Sequence, residues 1–146
     1  PRKDIIIDSS VYLRRYFVAS GVDHDWWLHQ FLRPDEQRSL HNHPFNALSW
    51  VLNGRLFEET PLSLCNTPAM PEEEGYMLLH RVLDGHDPKH TAHQREITPF
   101  TWHRVHDLAD GPVWTLMRVE AARLPGWWVG GELHQASPRD WWREYL

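Results

Sequence analysis

The stretch Leu40-His41-Asn42-His43-Pro44-Phe45-Asn46-Ala47-Leu48-Ser49-Trp50-Val51-Leu52-Asn53-Gly54 decides how this chain is read. In an extended segment side chains alternate between faces, so His41 and His43 project to the same side and offer two imidazole nitrogens to one metal ion. A chain with 11 histidines can also place two of them at a strand start by chance. The sequel favours the metal: Asn46 to Leu52 reads as a half-buried strand, and Asn53-Gly54 is a hairpin signal that would hold the ligand pair rigidly. Such a pair needs a third ligand.

With 146 residues the chain fits one domain, 1–146, with a single core. Its 9 tryptophans, 41% hydrophobic residues, 11 prolines and 8 glycines describe many short apolar segments broken by turns, and the class expected is all-β. Cys65 is the only cysteine, so no intrachain disulfide can form. The first residues, Pro1 to Asp8, lack the apolar core of a signal peptide, and a cytoplasmic location is expected. No apolar run reaches the roughly 18 residues of a membrane span. A net charge of -5 without a Lys/Arg cluster argues against a nucleic-acid surface. Neither membrane nor nucleic acid is an expected partner; a small molecule held by a few local arginines is.

Strands are expected over 11–18, 26–33, 46–52, 55–60, 76–83, 101–108 and 112–119. In the second of these Trp27, His29, Phe31 and Arg33 share a face, and a polar cavity would receive His29 and Arg33. Arg55 to Thr60 would return from Gly54 antiparallel to the histidine-bearing strand. A second hairpin is expected across Asp110-Gly111. Residues 61–75, with the acidic triplet Glu72-Glu73-Glu74, read as a surface loop. His80, His86, His90 and His93 could form a second metal cluster, but their spacing matches no tight ligand motif and Pro88 interrupts them, so a rim or lid is the favoured reading. Leu124 to Gly131 suits a loop at a barrel mouth. Ser137-Pro138 with Asp140 three residues after the cap predicts a short terminal helix over Asp140–Leu146, anchored by Trp141, Trp142 and Tyr145.

The third ligand lies between two candidates, His103 and His106. An odd separation puts them on opposite faces of a regular strand, and periodicity does not choose. The Thr101, His103, Val105 and Asp107 face and the Trp102, Arg104, His106 and Leu108 face both mix apolar with polar residues.

His41-x-His43, the apolar strand and Gly54 resemble the first motif of the cupin superfamily. A wider resemblance, to short cupin-like proteins of bacteria and phages, runs through Tyr12-Leu-Arg-Arg-Tyr16, Trp27 to Asp35, Arg38 to Pro44, His103-Arg-Val105, Pro112 to Leu116 and Trp142 to Tyr145. It implies a single-domain cupin-like double-stranded β-helix, a jelly-roll barrel, with a metal held by His41, His43 and His103. One position departs from the general motif: the glutamate expected seven residues before the glycine is Ala47.

Three neutral imidazoles leave a bound ion its double charge and open positions. Fe(II) is the first choice, as in three-histidine thiol dioxygenases of the cupin type, with Zn, Ni or Mn as alternatives. The function implied is a metal-dependent dioxygenase or hydroxylase acting on a small molecule or modified side chain. The reserves are a Zn- or Ni-dependent isomerase or hydrolase and a non-catalytic ligand-binding module with a structural metal. Arg33, Arg104, His106 and Arg118 are the candidates for holding or processing substrate. Ser49 shares the inward face with Ala47, and Asn46 reaches it only across a bulge; both are candidates to orient a ligand. A homodimer through edge strands is the oligomeric expectation.

Overall fold

The computed structural model of the chain describes residues 1–34, 40–61, 78–86, 94–122, 124, 126–129 and 132–135. Regular structure among them is entirely β: β1 (Arg2–Ile7), β2 (Ser10–Ser20), β3 (His24–Phe31), β4 (Ala47–Pro61), β5 (Leu78–Asp84), β6 (Gln94–Ile97), β7 (Arg104–Glu120), β8 (Gly126–Val129) and β9 (Glu132–Gln135). The terminal helix expected over 140–146 lies outside the described residues. No helix among the described residues is long and apolar enough to cross a membrane.

The main sheet runs β1-β2-β3-β7-β4-β5, with β6 beside the first half of β4; every pairing in it is antiparallel. The first strand was not expected. Ile5, Ile6 and Ile7 supply its β-branched content, and Asp8 and Ser9 turn the chain into β2 with φ of 50° and 62°, the left-handed conformation a two-residue hairpin needs. Strand β3 alternates as expected, with Asp25, Trp27, His29 and Phe31 buried.

Both expected hairpins are replaced by bends. Residues 47–61 form one strand, paired along its length with β7: Ala47 faces Val119 at one end and Glu59 faces Arg104 at the other. The register slips between Asn53↔Trp114 and Arg55↔Ala109, so residues 110–113 stand opposite Gly54 alone. Gly54 has φ 68°, and Asp110 and Gly111 have φ 67° and 83°. The positive φ that marks a two-residue turn here lets two paired strands bend together. Gly54 is required for a second reason, since a Cβ there would lie 3.0 Å from the Ala109 carbonyl oxygen and 3.1 Å from Val113 Cγ2.

The inward face carries two apolar clusters. Tyr12, Phe31, Val51, Leu56, Leu83, Val105 and Val113 form one; Trp27, Ala47, Ile97, Met117 and Val119 form the other. Ala47 thus belongs to the apolar packing. A further register slip, between Phe57↔Asp107 and Glu58↔Val105, leaves His106 as an extra residue in β7. The bulge reverses the alternation beyond it: Asp107 is exposed and Leu108 packs on the core, the opposite of a regular strand. The segment expected as a mouth loop contains β8, which pairs with β9 as a separate two-stranded sheet.

Candidate metal centre

His41 and His103 meet as an antiparallel bridge. The His41 N–H donates to the His103 carbonyl at 3.0 Å and the His103 N–H donates to the His41 carbonyl at 2.9 Å. Asn42, fully buried between the two histidines of the motif, donates its side-chain amide to the Pro99 carbonyl at 2.9 Å. These backbone locks fix where the rings stand. The centroids of His41, His43 and His103 form a triangle with sides of 4.7, 5.0 and 5.2 Å. One nitrogen from each ring lies within 4.8 Å of the others, so the three could hold one metal ion. The His43 ring also stacks on Phe45, centroids 5.2 Å apart.

His103 is braced from behind. Its Nδ1 meets both Glu58 Oε1 and, at 2.8 Å, Arg95 Nη1; Oε1 accepts from Arg95 Nη1, and Arg81 Nη2 donates to Glu58 Oε2 at 3.2 Å. Glu58 and Arg95 are 1% and 7% exposed, so the bonds form in a low-dielectric interior where each counts for more than in water. Burial alone would push the Glu58 carboxyl up; the Arg95 guanidinium, the His103 ring and Arg81 together overcome it and hold the group below the ordinary carboxylate range. An ionised Glu58 fixes the proton of His103 on Nδ1. The lone pair of Nε2 then faces His43 Nε2, 2.8 Å away. Two ring nitrogens this close need a proton or a cation between them, and the carboxylate–histidine pairing is the one that metal-binding imidazoles use.

Further basic groups surround the triangle. Burial first, then the neighbouring basic groups His103, Arg95, Arg15 and His29, keep His43 well below the usual histidine range, hence neutral at neutral pH. His29 is buried too and held low by burial and by Arg15 and Arg95. Its Nε2 accepts from Arg15 Nε at 3.3 Å, and the Arg15 guanidinium lies 4.7 Å over the Trp27 ring. Burial lowers Arg15 to about 10, which leaves it protonated at neutral pH.

The sheet has a cupin-like fold. No protein-family model and no curated protein matches the sequence, whereas solved structures do match by fold, and the cupin fold is theirs. The chain is similar to Fe(II) HppE at TM-score 0.56 and 11% identity, over 82% of this chain and 55% of that one. It is similar to the capsular polysaccharide assembling protein CapF from Staphylococcus aureus at TM-score 0.52 and 12% identity, over 82% of this chain and 30% of that one. Peruvianin-I, a cysteine peptidase from Thevetia peruviana latex, matches at TM-score 0.50 and 13% identity, over 86% and 68%. The chain thus spans about half the length of HppE.

The other candidates fall in different places. Arg33 is partly buried and donates from Nη2 to the Ile7 carbonyl, tying β1 to the end of β3. Arg104 donates to Glu59 Oε2, and His106 lies near the same carboxylate, both on the outward face. Arg118 lines a shallow depression with Leu48, Glu96 and Glu120. Asn46 donates to Glu120 at 3.4 Å, while Ser49 is buried opposite Arg95. Of the four histidines around that loop, His80 faces Glu59 and His86 contacts Asp110 at 3.2 Å, while His90 and His93 lie outside the described residues. Glu58, Arg95 and Arg15 were missed in the sequence. The signal for Glu58 was its parity with Leu56, an inward position once β4 is read as continuous.

Proposed function

We propose that the chain is a mononuclear cupin oxygenase of the double-stranded β-helix type. His41, His43 and His103 would hold Fe(II), and the substrate would be a small anionic molecule. The Nδ1–H of His103 committed to Glu58, with Nε2 turned toward His43, carries this reading. A braced imidazole is a better and better-aimed ligand than a free one. The metal would contribute open coordination positions to the chemistry. The protein's own contribution is electrostatic: Arg15 and Arg95 place positive charge near His43, which disfavours its protonation and favours an anion beside it. Iron as first choice draws support from the Fe(II) bound by HppE, which shares the fold. Zn, Ni and Mn are the alternatives that the same imidazole set accepts.

Nitric oxide added to the Fe(II)-loaded protein tests the reading. A nitrosyl signal is expected, and its absence from protein that holds stoichiometric iron would sink the oxygenase.

A further inference from the structure

A second cluster of ligand atoms stands on the outward face of the same strands. Glu59 follows Glu58 in β4, so its carboxylate points the opposite way. It faces His80 of β5 directly in register, and His106, the bulged residue of β7, turns its ring to the same carboxylate. Glu59 Oε1 lies 3.6 Å from His80 Nε2 and 3.5 Å from His106 Nδ1, both beyond the usual range of an N–H···O bond. Zn(II) bonds of about 2.1 Å at the tetrahedral angle set ligand atoms about 3.4 Å apart. One nitrogen or oxygen from each of the three residues falls within 4.8 Å of the others. The imidazole rings stand nearly perpendicular, 87° with centroids 5.5 Å apart, so they approach from different directions.

The carboxylate is set up to be a ligand. Glu59 is 5% exposed, and Arg104 donates to Oε2, which orients the group and leaves Oε1 facing the two rings. The side chains of the two histidines are 63% (His80) and 44% (His106) exposed, so a cation can reach them from solvent.

We infer that Glu59, His80 and His106 form a second divalent-cation site, of the two-histidine, one-carboxylate kind, that takes Zn(II). The ion pins β5, β4 and β7 together on the outer wall, with Glu58 and the three-histidine cluster on the other side of β4. This does not depend on the inward cluster being catalytic.

Zinc stoichiometry of the full chain, stripped with chelator and then dialysed against Zn(II), tests it. The wild type is compared with His80→Ala/His106→Ala, and circular dichroism checks that the variant is folded, as two solvent-accessible positions outside the apolar core lead one to expect. The variant should lose one equivalent. Glu59→Gln should weaken the same equivalent by at least tenfold. Wild-type stoichiometry in the folded double variant, or loss of every equivalent, overturns the site.

Discussion

A carboxylate enclosed by two guanidinium groups and an imidazole, as Glu58 is, resists protonation because each neighbour favours its charged form. Removing that charge should be felt at His103 and in the fold. Glu58→Gln keeps the shape but leaves the buried Arg95 without its counter-charge, and a loss of about 3 kcal/mol is expected in denaturant titrations. In whatever folded fraction remains, affinity for the inward metal should fall between tenfold and a hundredfold. Unchanged affinity would mean that His103 is not oriented through Glu58. The neutral rings make a separate prediction for the metal-free protein. His29 and His43 are held below the ordinary histidine value in the folded chain. Below about pH 6.5 the unfolded chain therefore binds protons that the folded chain refuses, and stability falls as pH falls. The loss from pH 7.5 to 5.5 reaches at most about 1.4 kcal/mol per ring. A profile that is flat, or that rises toward pH 5.5, contradicts the buried neutral state.

Among the elements, β4 and β7 matter most, because the bend at Gly54 and Asp110-Gly111 carries both strands from one half of the sheet to the other. Gly54→Ala incurs the left-handed conformation and the contacts with Ala109 and Val113, and should cost about 2 kcal/mol. Gly111→Ala meets nothing within 4 Å and incurs the conformation alone, about 1 kcal/mol. Equal losses in thermal melts would show that the crowding at Gly54 is relieved at no expense. This bend also marks the limit of what was legible. Asn53-Gly54 and Asp110-Gly111 announce positive φ, but a residue pair states a conformation and not which strand is the partner, so a turn and a bend look alike. Glu58 was hidden for that reason. The alternation of β3, the shared side of His41 and His43, and the all-β class were readable because period-two patterns are local. The faces of β7 were not readable past Val105, since a one-residue bulge at His106 leaves no mark in composition.

At the scale of the molecule, the backbone bridge between His41 and His103 joins residues 62 positions apart, so the site exists only in the folded chain. Likeness to HppE, CapF and Peruvianin-I is likeness of fold at 11 to 13% identity, so the chemistry rests on this chain's own side chains. The central claim is that the three inward histidines hold the working metal ion. Crystals loaded anaerobically with Fe(II) and measured across the iron absorption edge test it most directly. An anomalous peak among His41, His43 and His103 is the predicted result; iron found only at Glu59, His80 and His106, or elsewhere, would contradict it.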